Sequence, residues 1–167
     1  IAARVHPAMV SADHPLSGVR DSYNAVFVEG DVVGNLMFYG RGAGGGPTAS
    51  AVLGDVIDAA ANLARGTHAS VGHLAKAQLR SVDDLSSPYY VNVEVRDRPG
   101  VLAEVASVFG SHGVSIRSME QEGLGDDARI VFITHDATER DVQACLSDLR
   151  RLDTVARVAS VLRVVAE

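Results

Sequence analysis

The sequence predicts an α+β protein in two parts, a partial mixed α/β region followed by a βαββαβ sandwich. Two observations lead to this prediction. Some short runs alternate apolar and polar residues, as strands do, whereas others repeat apolar residues at three- and four-residue spacing, as amphipathic helices do. Between residues 67 and 87 the composition shifts to histidine, serine, lysine and glutamine without strong periodicity. We therefore expect domains over residues 1–66 and 88–167, joined by a linker over 67–87.

The first part is predicted to contain three strands and a helix. Loose alternation indicates a strand over residues 1–10, and β-rich runs indicate strands over 23–29 and 32–39. After a glycine-rich run, an apolar stripe from Ala49 to Ala64 predicts a helix, and Gly66 is expected to end it.

The second part begins at 89-YYVNVEV-95, a run of period two that predicts a strand. A turn at 96–100 leads into a helical stripe over 101–109. Strands are predicted over 114–121 and 129–135 with a turn at 123–127 between them, followed by a helix at 142–149 and a strand at 155–165. This order is that of the split-βαβ sandwich, in which a four-stranded antiparallel sheet carries both helices on one face.

Composition excludes several functional classes. The chain has 167 residues, with 21 acidic and 15 mostly scattered basic side chains and a net charge of -6, which argues against a nucleic-acid partner. The single cysteine, Cys145, excludes an internal disulfide framework and fits a reducing, cytoplasmic location. No apolar run is long enough to predict a membrane span. The chain opens with a strand-like pattern instead of methionine, so we expect a fragment.

The run 40-GRGAGGG-46 formally satisfies the dinucleotide-binding pattern G-x-G-x-x-G. That pattern needs a second parallel strand ending in an acidic residue about 20 positions on, and here Asp58 lies inside the predicted helix. A phosphate-binding P-loop is also excluded, because no Lys-Ser or Lys-Thr pair closes the run. Two interpretations remain from the residues, a lip against which a ligand lies and a plain connection. Pro47 and Thr48 at the helix start favour the first.

The segment 24-NAVFVEGDVVGNLMFYGRGAGGGPTASAVLGDVIDAA-60, preceded by 14-HPL-16, resembles the end of the catalytic region of homoserine dehydrogenase. The resemblance covers about residues 1–66. It implies that Gly44 contacts a nicotinamide cofactor, NAD(P), through its backbone, with Gly42, Ala43 and Gly45 beside it. The family interconverts L-homoserine and L-aspartate 4-semialdehyde in threonine and methionine biosynthesis.

The resemblance also implies what this chain does not hold. In the family, the dinucleotide fingerprint, the catalytic lysine and the acidic residues that bind homoserine all precede the matching region. The expectation is that this chain carries no catalytic residue, binds no cofactor by itself and is inactive alone.

The segment 94-EVRDRPGVLAEVASVFGSHGVSIRSMEQ-121 resembles the ACT domain, a ferredoxin-like βαββαβ module that binds small amino acids and regulates metabolic enzymes. The resemblance covers residues 88–167. The free N–H groups of Gly100, Val101 and Leu102 could receive a carboxylate at the start of a helix. Asp97 could hold an ammonium group, and Ser115 could complete a polar rim.

Alternatives remain open for this second part. Asp97 could simply cap the helix, and the domain could serve only to pair subunits. An open sheet edge suits a homo-oligomer with the ligand at the shared boundary. Because the first part resembles a threonine-pathway enzyme, L-threonine is the first effector candidate. A stand-alone amino-acid-binding regulatory module is the alternative function.

Other polar residues are expected to have no chemical role. His68 and His73 lack further ligands at metal spacing, so no metal site is predicted. Cys145 falls on an apolar helix stripe and is expected to be a buried core residue. Asp126 and Asp127 lie in the predicted turn at 123–127 and need no catalytic role.

Overall fold

The computed structural model describes residues 1–68, 72–123 and 128–165. The chain divides into two compact units. The first, which we term the sheet unit, comprises Ile1–Ser11 and Ala77–Glu167; the second, the insert unit, comprises Ala12–Lys76. The first eleven residues thus belong to the same unit as the C-terminal half of the chain. The domain borders expected at residues 66 and 88 stay predictions.

The insert unit is a β-hairpin followed by a long helix. Strand β2 (Tyr23–Gly30) pairs antiparallel with β3 (Gly34–Arg41), and α1 spans Gly45–Arg65. Gly66 ends α1 in the left-handed region (φ 64°), and its N–H donates to the Leu63 carbonyl at 3.1 Å. Both strands and the helix stop at Gly66 are confirmed, while α1 begins four residues before the predicted apolar stripe.

The sheet unit has the predicted βαββαβ order. Its elements are β5 (Tyr89–Val95), α2 (Val101–Ser111), β6 (Ile116–Glu122), β7 (Ala128–Thr134), α3 (Glu139–Leu149) and β9 (Val155–Val165), with a small pair formed by β4 (Ser86–Ser87) and β8 (Ala137–Thr138). The four long strands are antiparallel in the order β9-β5-β7-β6. The predicted turn at 123–127, with Asp126 and Asp127, lies almost wholly outside the described residues.

A fifth strand joins this sheet from the start of the chain. Strand β1 (Ala8–Val10) runs parallel to β9, with Ala8 opposite Arg163. The strand predicted over residues 1–10 is therefore mostly wrong, because only three residues pair. Pro7 has no N–H to donate to a ladder, so the strand starts directly after it. The order of the complete sheet is β1-β9-β5-β7-β6, which leaves β6 as an uncovered edge among the described strands.

The core lies between one face of the sheet and the helices α2 and α3. Alternate residues of β5 point into it, and Val91, Val93 and Val95 have no exposed surface. The rings of Phe109 in α2 and Phe132 in β7 lie 4.9 Å apart. Burial of these apolar side chains is the main force that fixes the two ends of the sheet, where the polar turns described below lie.

Candidate functional site

The glycine-rich run forms an exposed loop between β3 and α1. Gly44 adopts φ 123° directly before the helix, a backbone conformation that L side chains rarely adopt. Its carbonyl accepts a hydrogen bond from the Thr48 N–H at 3.1 Å. A Cβ at Gly42 would lie 2.1 Å from the Asn24 amide nitrogen. Glycine is therefore favoured at position 44 by conformation, whereas a side chain at position 42 would require the Asn24 side chain to move.

The four residues predicted to contact the cofactor lie together in this loop. Gly42, Ala43, Gly44 and Gly45 are all exposed. Nothing lies within 4 Å of a Cβ built at Gly45 or Gly46, and the loop leads into the 21-residue helix α1. A loop without side chains at a helix N-terminus allows another molecule to approach the backbone closely and favours negative charge there. This geometry is compatible with both a ligand lip and a connection.

The second group of predicted site residues lies at the 96–100 turn, between β5 and α2. Gly100 has φ 91° and precedes the helix, which has no side-chain cap. Asp97 therefore does not cap α2, and its carboxylate makes no hydrogen bond within the described part of the chain. The Val101 N–H donates to the Arg98 carbonyl at 3.3 Å, so the turn itself uses one of the three predicted N–H groups.

The remaining two N–H groups at the 96–100 turn are available. The Gly100 and Leu102 amides have no backbone acceptor among the described residues, and both residues are exposed at the protein surface. Asp97 lies in the same turn, three residues before Gly100, so this corner of the sheet unit carries two donors and one carboxylate. This combination is complementary to the carboxylate and ammonium groups of an amino acid.

Ser115 does not belong to this corner in a single chain. It lies directly before β6, and its carbonyl accepts a hydrogen bond from the His135 N–H at 2.8 Å. The register places Ile116 opposite Thr134 at one end of the sheet, whereas Val95 lies opposite Ala128 at the other. Six residue steps along a strand span about 20 Å. Within one chain, the expectation that Ser115 completes the rim is therefore not met.

The 96–100 turn is joined to the turn that precedes β9. The Arg96 N–H donates to the Thr154 carbonyl at 3.0 Å. Thr154 is 1% exposed, and its hydroxyl has no hydrogen-bond partner among the residues that the structure describes. A buried hydroxyl without a partner costs stability, and among the described residues only Asn92 Oδ1 shares this property.

We expect Thr154→Val to raise the free energy of unfolding by about 1 kcal/mol, because valine has the same shape and removes an unpaired hydroxyl. Urea unfolding measures the change, with Thr138→Val as a control. The Thr138 hydroxyl accepts from the Asp141 N–H and caps α3, so its loss should lower stability by about 1 kcal/mol. A stability loss in Thr154→Val would mean that the hydroxyl is hydrogen-bonded in solution.

A buried charged cluster, which sequence reasoning missed, lies at the other end of α3. Glu139 is 7% exposed, and its Oε2 accepts hydrogen bonds from the Tyr89 hydroxyl at 2.8 Å and from Arg163 Nε at 3.0 Å. Gln143 Nε2 donates to the other carboxylate oxygen at 2.8 Å. The Arg163 guanidinium also lies over the Tyr89 ring, 5.8 Å from its centroid. We name these four residues the Glu139 cluster.

The Glu139 cluster holds its carboxylate ionised. Burial acts to raise the pKa of Glu139, but hydrogen bonds from Gln143, Arg163 and Tyr89 outweigh burial and lower the pKa below its ordinary value. A cavity of about 170 Å³ beside the cluster is also lined by His6 and Pro7, the residues directly before β1. The only sequence signal was a glutamate at the start of a helix, and this pattern is common at exposed helix ends.

The buried core position expected for Cys145 is confirmed. Cys145 is 1% exposed, and burial raises the pKa of its thiol to about 12, so the thiolate nucleophile is disfavoured. Within the described ranges no group of three or more histidine, cysteine or acidic side chains could hold a metal ion. The helices of the described chain are too short or too polar to cross a membrane.

Comparisons with known proteins match both parts of the chain. A family model described as homoserine dehydrogenase matches residues 1–57, and one described as ACT domain matches residues 89–154. A homoserine dehydrogenase of Corynebacterium glutamicum is 46% identical over 165 residues, which is 98% of this chain and 37% of the relative. One from Synechocystis is 42% identical, over 98% of this chain and 40% of the relative.

The structural comparison gives the same result. The crystal structure of a homoserine dehydrogenase from Thiobacillus denitrificans matches 98% of this chain and 39% of its own length, with a TM-score of 0.88 and 32% identity. The chain thus spans about two fifths of the length of the relatives that it matches, and it corresponds to their C-terminal part. The first of the two family models includes β1, although β1 pairs within the sheet unit.

Proposed function

We propose that the chain, which matches homoserine dehydrogenases over 98% of its length and carries an ACT domain match, forms the C-terminal end of an NAD(P)-dependent homoserine dehydrogenase and senses an amino acid. The observation that carries this proposal is the combination of the glycine loop and the ACT fold in one chain. A stand-alone sensor module, the alternative function, has no use for the 40–46 loop. We place the protein in the cytoplasm.

In the proposed enzyme, the chemistry of hydride transfer belongs to the nicotinamide cofactor, which exchanges a hydride with the alcohol carbon of homoserine. The role of this chain is to hold one edge of the crevice. The backbone at Gly44, with Gly42, Ala43 and Gly45 beside it, would lie against the cofactor, and no side chain would separate them. The rest of the enzyme would supply the catalytic groups.

In the complete enzyme we expect Gly44→Val to raise the KM for NAD(P)H by about tenfold or more, because a branched side chain would occupy the lip and strain a φ of 123°. Steady-state kinetics with a melting curve measures this effect. Gly46→Ala is the matched control, since nothing lies within 4 Å of a Cβ at that position. Equal KM values for NAD(P)H in the two variants would mean that the loop only connects β3 to α1.

The proposed effector site is the 96–100 turn with the first turn of α2. The Gly100 and Leu102 N–H groups would bind the carboxylate of an amino acid, aided by the helix dipole, and the Asp97 carboxylate would bind its ammonium group. L-Threonine is the candidate we favour, because the proposed enzyme leads toward threonine. The donors and the carboxylate that lack partners among the described residues support an amino-acid site at this turn.

Pairing of two sheet units would complete the site. Strand β1 pairs with Arg163–Val165 at the end of β9, whereas β6 is uncovered along its whole length, so we take β6 as the edge for a second copy. If two β6 strands pair antiparallel about a two-fold axis, Ser115 of the second copy comes to the end of the sheet where the 96–100 turn lies. Ser115 would then contribute to the rim across the boundary of a homo-oligomer.

A further inference from the structure

Strand β1 connects two regions of different proposed function. It lies in the sheet unit, yet residue 12, two positions after it, begins the insert unit that holds the glycine loop. Its three residues pair with Arg163–Val165 of β9 and with no other described strand. A three-residue parallel pairing is weak by itself, so it depends on the contacts on either side of it. Before β1, Ile1 forms hydrogen bonds with Gln78 and Arg80. Opposite β1, the pairing depends on what holds Arg163 in place.

The Glu139 cluster provides that support. Arg163 lies between Ala8 of β1 and Tyr89 of β5 in the sheet register. Its guanidinium is held by the Glu139 carboxylate, which also accepts the Tyr89 hydroxyl. Glu139 is the first residue of α3. Any displacement of the N-terminus of α3 therefore acts on Arg163, the residue opposite β1.

The other end of α3 is connected to the 96–100 turn. The Leu152 N–H donates to the Leu149 carbonyl at 3.2 Å, and the Val155 N–H donates to the Leu152 carbonyl at 3.0 Å, so the connection to β9 is short and bonded. Thr154 in this connection accepts the Arg96 N–H. An 11-residue helix is about 16 Å long and rigid on this scale. Hydrogen bonds thus run from the 96–100 turn through α3 to β1.

We infer that α3 and the Glu139–Arg163 pair transmit amino-acid binding at the 96–100 turn to strand β1, and through β1 to the chain that enters the insert unit. This inference rests on the proposed effector function of the turn. The buried Thr154 hydroxyl without a partner supports it, since a change in the turn that gives this hydroxyl a partner would favour a second arrangement. Glu139 and Arg163 act here as positioning residues, not as ligands of the effector.

The test uses this chain with L-threonine as the probe. Calorimetry measures binding, and hydrogen exchange followed by mass spectrometry measures opening of the peptide that contains β1. In the wild type we expect saturating threonine to change the exchange rate of the β1 amides by about tenfold. In Arg163→Lys, which keeps the charge but loses the planar fork, we expect a Kd within about twofold of wild type and no threonine-dependent change at β1.

Two further variants make the result specific. Arg157→Gln removes another arginine–glutamate pair of β9, the exposed pair with Glu94, and should respond to threonine as the wild type does. If Arg163→Lys folds poorly, Tyr89→Phe takes its place in the test. This variant removes one hydrogen bond of the Glu139 cluster and should weaken the response of β1 to threonine. Two results would overturn this inference but not the effector proposal. One is threonine binding by the wild type without a change in exchange at β1, and the other is an equal response of β1 in Arg163→Lys and Arg157→Gln. No binding by the wild type would overturn the effector proposal as well.

Discussion

Replacing Glu139 by alanine is expected to lower the free energy of unfolding of the sheet unit by about 2–3 kcal/mol, since it leaves a partly buried guanidinium without its partner. Arg163 has a side-chain exposure of 19%, and Glu139 is its only ion-pair partner among the described residues. The Tyr89 hydroxyl would lose its acceptor at the same time. Urea unfolding followed by circular dichroism measures the loss.

The matched control for this prediction is Glu122→Ala. Glu122 pairs with Arg129 on the same sheet, but the two side chains are 49% and 53% exposed. Exposed pairs contribute at most about 1 kcal/mol, so the control should change stability little. If the free energy of unfolding falls by the same small amount in both variants, the Glu139 cluster does not stabilise the fold.

The same cluster predicts a pH dependence. The pKa of Glu139 is lower in the folded chain than in the unfolded chain, so its contribution to stability is present above the ordinary glutamate pKa. The contribution is lost as the pH falls through the folded pKa, because protonation breaks the pair with Arg163. As the pH is lowered through the acidic range, the free energy of unfolding should therefore fall more steeply for the wild type than for Glu139→Gln.

Replacing Asp97 by alanine is expected to weaken amino-acid binding by about 10- to 100-fold, the effect of losing a charged hydrogen bond of roughly 1.5–3 kcal/mol. The carboxylate has no partner in the described chain and α2 has no side-chain cap. The melting temperature should therefore stay unchanged, and the effect should be on binding alone. Calorimetric titration with L-threonine measures it.

Two variants separate charge from shape in this prediction. Asp97→Asn keeps a hydrogen-bond acceptor and removes the charge, so its affinity for threonine should lie between the affinities of the wild type and Asp97→Ala. Asp136→Asn removes the same charge at an exposed position beyond the end of β7 and should bind as the wild type does. If Asp136→Asn weakens binding as much as Asp97→Asn, the effect is one of net charge and the proposed site is wrong.

Local patterns predicted most of the fold. The βαββαβ order follows from apolar spacing that each element carries within itself, as in 89-YYVNVEV-95 and the stripe of α2, so no knowledge of the partners was needed. The helix stop at Gly66 likewise depends on one residue whose backbone adopts the left-handed region.

Long-range pairing could not be predicted in the same way. Strand β1 is three residues long and pairs with a strand more than 150 positions later, and nothing in 8-AMV-10 indicates that partner. Glu139, Arg163 and Tyr89 are likewise distant in sequence, so their cluster exists only once the sheet and α3 pack together. Ser115 was expected to complete the rim of the 96–100 turn because it starts the next strand, and the sheet register of one chain places it at the opposite end.

Calorimetric titration of this chain with L-threonine tests the proposed sensing function most directly, with a thermal melt in the presence of the same ligand as the second readout. We predict a saturable heat and a raised melting temperature, because a ligand that binds only the folded chain stabilises it. The absence of both heat and melting shift with millimolar threonine, isoleucine, methionine, lysine and serine would contradict amino-acid sensing and leave subunit pairing as the role of the ACT domain.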